Sequence, residues 1–465
     1  MKEDSKYAAL VRYALERMDE GAWKPGTKLP SVREMAAQRG CSVNSVLRAY
    51  EYLRDEGYLY AKPKAGFYVA TSGGDAAERR DADVVDWMSA SPDASAMPYR
   101  EFQAAMNKAI FLHKGALFDY GDPQGLPSLR RAISRQLKEL GWFADESRVF
   151  VTSGAQQALQ LLAAMPFPNG KTQVLVEQPA YHGMLRALRL MNVPAIGIER
   201  TRDGVDLDEL ERHFRSNQIK FFYTTSRYHN PTGWCYSKSQ RESIARLARK
   251  HDVYILEDDY LADLAAPGAK QAPIVASDGS ERVIYVKSFS KTMLPDLRLG
   301  AAVLPTALAG TFRAYKSASD LSSSTLSQNA LELFIENGIY ARHAEAMRGL
   351  YRARMDALVR LCREALPDAF AIDAPAGGIF AALRLPASLP ETELVRALRE
   401  AGVLALHGEP FYLPDFPRPQ LLRLSVIRAD EAALRTGVER LAAAALRLLR
   451  TTPRERAALR NELWL

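Results

Sequence analysis

Three short segments hold most of the side chains able to do chemistry. Asn230-Pro231-Thr232-Gly233 follows the apolar run 221–225, Asp258-Asp259-Tyr260 follows 253–257, and Ser288-Phe289-Ser290-Lys291 follows 283–286. Alone, each is ordinary: a turn, a solvated acidic pair, a surface cation. Together they suit one task. A lysine amine can form a Schiff base with an aldehyde, a carboxylate can keep a pyridine nitrogen protonated so that the ring draws electrons, and hydroxyls, amides and an arginine can hold a phosphate. Those are the demands of pyridoxal 5'-phosphate.

These residues need elements to position them. Strand-like runs at 173–177, 221–225, 253–257 and 283–286 alternate with helical stretches, and Ser237-Lys238-Ser239-Gln240 reads as a capping box opening a helix to about residue 250. The alternation predicts an α/β fold, a mainly parallel sheet covered by helices, with the site at the carboxyl ends of its strands. Val151-Thr152-Ser153-Gly154-Ala155-Gln156-Gln157 lies between a strand and a helix. Amides at such a helix start face an anion.

Residues 1–70 read as a separate unit. Tyr7, Leu10, Val11, Ala14, Leu15 and Met18 follow the helical period from about residue 4 to 19. Ser31, with Glu34 three residues on, caps a second helix that Gly40 ends. From Ser42 a third helix turns Val46, Leu47, Tyr50 and Leu53 inward and Ser42, Asn44, Ser45 and Arg48 outward; residues 58–69 then alternate around a Lys62-Pro63-Lys64-Ala65-Gly66 tip. This is a winged helix-turn-helix. Its third helix would read base edges, with phosphate contacts from Arg33, Lys62 and Lys64.

Composition sets the frame. The 465 residues are 47% hydrophobic and 25% charged, as in a globular protein. No run long enough for a transmembrane helix and no signal-peptide core occurs, so a cytoplasmic protein without a membrane partner is expected. Cys41, Cys235 and Cys362 are too scattered for a zinc site or a disulfide framework, and no metal is expected. The net charge is +7, and residues 1–70 hold 12 Lys+Arg against 9 Asp+Glu. A polyanionic partner fits that placement. Residues 71–97, polar and rich in Gly, Ser and Asp, are expected to be a linker spanning roughly 25–30 Å root-mean-square. The large domain is then 98–465, with its small lobe from about 340.

The segment GTKLPSVREMAAQRGCSVNSVLRAY at 26–50 and the EYLRDEGYLYAKPKAGFYV that follows closely resemble the DNA-binding domain of GntR-type bacterial regulators. Asn44 departs from an arginine common in that family, which bears on base preference. Residues 98–465 resemble the fold-type I aminotransferases, with 28 residues from Asn230 to Asp258 and 33 from Asp258 to Lys291. That resemblance implies a mainly parallel seven-stranded sheet and a smaller C-terminal α+β lobe. It makes Lys291 the Schiff-base lysine and Asp258 the partner of the pyridine nitrogen. Asn230 and Tyr260 would bind the ring's phenolic oxygen, and Tyr181 would stack on the ring. Ser153, Gly154, Ala155, Ser288, Ser290 and Arg298 would hold the phosphate, with Tyr120 reaching the neighbouring subunit's phosphate. Arg423 would clamp an amino acid's carboxylate. Ala155 lacks a hydroxyl common at that place, and Lys287 stands where relatives often carry a small residue, its side chain expected to point into solvent.

The two parts together resemble the MocR/GabR subfamily of bacterial transcription regulators. What this implies is a head-to-tail homodimer on double-stranded promoter DNA, using pyridoxal phosphate to sense an amine, an amino acid or a B6 vitamer. Two other readings stay open: an active aminotransferase with a residual DNA-binding domain, and a sensor of pyridoxal phosphate alone.

Overall fold

Ser31 opens the second helix of the N-terminal unit by accepting from the Glu34 amide at 3.3 Å, while the Glu34 carboxylate accepts from the Ser31 amide at 2.7 Å. The capping box is complete. Gly40 ends that helix at φ 59°, a left-handed conformation that glycine adopts without a Cβ clash. The unit's helices are Lys6–Asp19, Val32–Arg39 and Val43–Asp55, followed by the antiparallel hairpin of β1 (Leu59–Lys62) and β2 (Gly66–Val69). Leu10, Ala14, Met35, Val46, Ala49, Tyr50, Leu53, Leu59 and Val69 form its core. Leu47, expected to face inward, is only half-buried. Ala49 faces inward with Val46, Tyr50 and Leu53, since 46, 49, 50 and 53 make the i, i+3, i+4, i+7 stripe.

The computed structural model describes residues 6–55, 57–62, 65–70, 84–265, 272–279, 281–373, 375 and 377–450. They divide into two units, Met1–Ala82 and Asp83–Leu465. The second begins with β3 (Val85–Asp86) and continues through β4 (Val149–Thr152), β5 (Gln173–Gln178), β6 (Ala195–Glu199), β7 (Ile219–Thr224), β8 (Tyr254–Asp259), β9 (Val283–Ser288) and β10 (Gly300–Val303). Seven of these form one sheet in the order β4-β10-β9-β8-β7-β5-β6. Neighbours from β6 to β9 run parallel, and β10 runs antiparallel to both β4 and β9. Both faces are covered, so β7, β8 and β9 are buried along their whole length.

The C-terminal lobe has β11 (Ala371–Ile372), β12 (Phe380–Arg384), β13 (Val403–Leu404), β14 (Leu406–His407) and β15 (Leu421–Ser425). A four-stranded antiparallel sheet, β11-β12-β15-β14, packs with the helices Ile339–Ala365, Glu391–Glu400 and Glu431–Arg450 around a separate core.

Two expectations need correction. The helix Lys238–Lys250 is capped by Ser237, which accepts from the Gln240 amide at 3.2 Å, but the Gln240 side chain donates to the Val205 carbonyl instead of returning to the cap. The box is therefore half made. The linker does not extend to residue 97: β3 pairs parallel with β13, and Val85 and Trp87 lie buried in the C-terminal lobe's core. Two apolar residues at strand spacing in an otherwise polar stretch anchor it there.

Candidate functional site

Parallel strands place their carboxyl ends on one edge, and the expected residues collect there. Asp258 lies near the end of β8, Ser288 ends β9, Asn230 and Tyr181 follow β7 and β5, and Ser153 to Ala155 join β4 to the helix Ala155–Ala164. Lys291 and Arg298 share the short connection from β9 to β10.

Asp258 is buried; its Oδ2 accepts from Tyr223 Oη at 2.8 Å, while Oδ1 has no hydrogen-bond partner among the described residues. Burial pushes its carboxyl up to about 7, opposed by the Tyr223 bond and by Lys291 and helped by Asp259. Lys291 Nζ donates to the Ala90 carbonyl at 2.7 Å. Burial, with the charges of Arg423 and Arg298, lowers this amine to about 8 against the pull of Asp258. Tyr181 is half-buried and feels the charges of Asp258, Arg298 and Arg423, so these side chains form one electrostatic group.

Around them, Arg298 takes φ 52° and donates to the Ser153 carbonyl at 3.3 Å. Gly154 has φ +80°, a left-handed conformation that favours glycine, and a Cβ there would stand 2.9 Å from the Arg298 Nη2. The Ser290 amide donates to Ser288 Oγ at 3.2 Å. Asn230 is buried with its Oδ1 unpaired among the described residues; the Tyr260 hydroxyl donates to the Tyr228 carbonyl at 2.7 Å. Arg423, on β15, is 2% exposed between the rings of Phe380 (4.3 Å) and Phe411 (5.5 Å), and donates to the Met88 carbonyl. Burial lowers its guanidinium to about 10.

Three placements differ from expectation. The Ser153 hydroxyl donates to Asp320 at 2.8 Å and its amide to Gln157 Oε1 at 2.8 Å, so neither is offered to an anion. Lys287 is buried, paired with Asp263, because Asp259 and Lys287 sit opposite each other in the register of β8 and β9, one position out of phase with Asp258. Tyr120 stands 86% exposed, outside the buried group.

Sequence reasoning missed Tyr223 and Glu177. Buried Glu177 accepts from Thr224 Oγ1 at 2.8 Å, the Thr225 amide at 3.0 Å and Tyr236 Oη, and faces His229 at 3.5 Å, which fixes the loop presenting Asn230. A carboxylate inside an apolar strand was the available signal.

In the N-terminal unit Arg33, Ser42, Asn44 and Arg48 are exposed, with Arg48 lying 5.6 Å from the Tyr7 ring. Ser45 is half-buried, its Oγ 2.8 Å from that of Ser42. Lys62 is exposed above the Tyr68 ring at 4.8 Å. Lys64 lies outside the described residues. Among the described residues, no helix is long and apolar enough to cross a membrane.

Residues 82–441 match the family "Aminotransferase class I and II", and residues 6–69 match "Bacterial regulatory proteins, gntR family". The HTH-type transcriptional regulator YcxD of Bacillus subtilis (strain 168) is 40% identical over 440 residues, 94% of this chain and 99% of that one. The probable rhizopine catabolism regulatory protein MocR of Rhizobium meliloti is 29% identical, covering 92% and 91%. Among solved structures, kynurenine aminotransferase of Pyrococcus horikoshii aligns at TM-score 0.74 and 25% identity over 80% of this chain and 93% of its own. LysN, the alpha-aminoadipate aminotransferase of Thermus thermophilus, aligns at 0.72 and 26% over 79% and 93%. With a gntR-family helix-turn-helix ahead of an aminotransferase unit of fold type I, and full-length relatives of the same build, the chain belongs to the MocR-type transcription regulators.

Proposed function

We propose that this protein binds pyridoxal 5'-phosphate in its large unit and uses it to sense an amine, amino acid or B6 vitamer, adjusting how its N-terminal unit holds promoter DNA in the bacterial cytoplasm. The observation that carries this is Asp258 Oδ1, a buried carboxylate oxygen without a partner among the described residues, in one electrostatic group with a lysine whose amine is lowered to about 8. An unpaired buried acceptor is costly unless a ligand supplies the donor. A protonated pyridine nitrogen is such a donor.

In this reading Lys291 would hold the cofactor through its aldehyde, Asp258 would keep the ring nitrogen protonated, and Asn230 and, with its hydroxyl turned from the Tyr228 carbonyl, Tyr260 would bind the phenolic oxygen. Tyr181 would stack on the ring. Gly154 and Ala155 present amides at the helix start, and Ser288, Ser290 and Arg298 complete the phosphate site. Once bound, the group supplies an electron sink for a primary amine. Arg423 takes the amine's carboxylate. Tyr120, exposed in one chain, reaches the phosphate of a second copy, so the working form is a homodimer. Ser42, Asn44, Ser45 and Arg48 face the bases, while Arg33, Lys62 and Lys64 meet phosphates.

The test is a footprint on the DNA upstream of the protein's own gene, repeated with cofactor-free, cofactor-loaded and Lys291→Ala protein. Sequence-specific protection that changes with cofactor state is expected. Steady amino transfer between an amino acid and a keto acid, with no preferred DNA sequence, would make it an enzyme instead.

A further inference from the structure

The third helix of the N-terminal unit, Val43–Asp55, turns one stripe into the core: Val46, Ala49, Tyr50 and Leu53, none more than 3% exposed. At about 100° per residue, Asn44 and Arg48 fall opposite that stripe with Val43 and Leu47 beside them, while Ser42 and Ser45 fall back toward it. The contacts agree. Ser42 Oγ accepts from the Ser45 amide at 3.1 Å and lies 2.8 Å from Ser45 Oγ, so the two hydroxyls are engaged in closing the helix start. Arg48 leans toward the Tyr7 ring at 5.6 Å. Asn44 is exposed, Leu47 is half-buried, and Val43 stands 50% exposed at the first position of the helix. The leading turn therefore presents one amide beside an apolar edge made by Val43 and Leu47, neighbours at i, i+4. In water that edge gains nothing. The surface around it is basic, with Arg33 and Lys62 exposed and 12 Lys+Arg against 9 Asp+Glu over residues 1–70.

We infer that Val43, with Leu47 behind it, reads thymine methyl groups in the major groove and that Asn44 reads a neighbouring adenine, so the operator carries adjacent A·T pairs where this turn sits. Residues at the start of a reading helix are the ones that reach base edges. The C5-methyl is what thymine offers an apolar side chain there, and cytosine presents an amino donor instead. Asparagine suits adenine because its carbonyl accepts from N6 while its amide donates to N7, a pattern that guanine, with O6 in place of N6, does not match. Ser42 and Ser45, bonded to each other, add little discrimination. The inference rests on the proposed function, which sets this helix against the bases, and it adds which bases.

The experiment uses the full-length protein and the footprinted operator, with each thymine replaced singly by deoxyuridine, which lacks the methyl, and each adenine singly by 7-deaza-2'-deoxyadenosine, which lacks N7. Affinities are read by fluorescence anisotropy. Deoxyuridine at the contacted thymine should weaken wild-type binding about fourfold, the worth of one buried methyl, and should cost Val43→Ser less than about twofold. A neighbouring 7-deazaadenine should weaken the wild type about tenfold and leave Asn44→Ala unaffected. Ser45→Ala should keep both responses. Val43 and Asn44 are exposed, so the melting of the N-terminal unit should hold in both variants. Wild-type binding unmoved by every deoxyuridine and every 7-deazaadenine, with the footprint intact, overturns the inference and leaves the proposed function standing. Responses that persist in Val43→Ser and Asn44→Ala do the same, and assign the apolar edge to another partner. A protein that protects no preferred sequence sinks the inference and the proposed function together.

Discussion

Tyr223 reaches from β7 to Asp258 on β8 and occupies one of its two oxygens, leaving Oδ1 for a ligand. Tyr223→Phe removes that donor and leaves a second buried oxygen unpaired, a cost of about 1–3 kcal/mol. The carboxyl should then rise above its present level near 7, and pyridoxal phosphate affinity should fall by roughly tenfold or more, read by titrating cofactor absorbance. Lys291 makes a separate forecast. Its amine, lowered to about 8, is mostly protonated below that pH and mostly neutral above it. Only the neutral amine attacks an aldehyde. Covalent capture of pyridoxal phosphate should accelerate roughly tenfold per pH unit below 8 and level off well before pH 10, measured by stopped-flow absorbance. A rate still climbing at pH 10 would mean that Lys291 titrates like a solvated lysine.

At the scale of elements, the capping box at Ser31 predicts a stability effect confined to the reader. Ser31→Ala should cost about 1 kcal/mol and lower the melting of the N-terminal unit by roughly 4–8 °C, seen by calorimetry as a shift of that transition alone. What could be read from the chain followed from side-chain type. Asn230, Asp258 and Lys291 stand out because each follows a run of apolar residues, and the winged unit shows because caps and glycines mark its ends. What escaped has no such signature. The reversed direction of β10 depends on its pairing with β4, far away in sequence, as well as with β9. The Met88 and Ala90 contacts are made by backbone carbonyls, which every residue carries. Ser153 has the type and place of a phosphate ligand, yet Asp320, 167 residues later, takes its hydroxyl.

For the whole molecule, the basic reader should dominate salt dependence. Lys62→Ala should weaken operator and nonspecific DNA alike and reduce the slope of log affinity against log salt by about 0.9, measured by titration at several salt concentrations. If the proposed homodimer carries the proposed cofactor, Tyr120→Ala should weaken cofactor retention while leaving the reader's melting unchanged, checked by dialysis and calorimetry. The short turn between β9 and β10 carries Lys291 and Arg298 together, held between two adjacent strands in the middle of the sheet, while Arg423 sits on a strand of the other lobe. Inheritance can act on these pieces separately. In the proposed reading, substitutions around β15 would retune the carboxylate contact of Arg423 without disturbing the turn that carries Lys291 and Arg298.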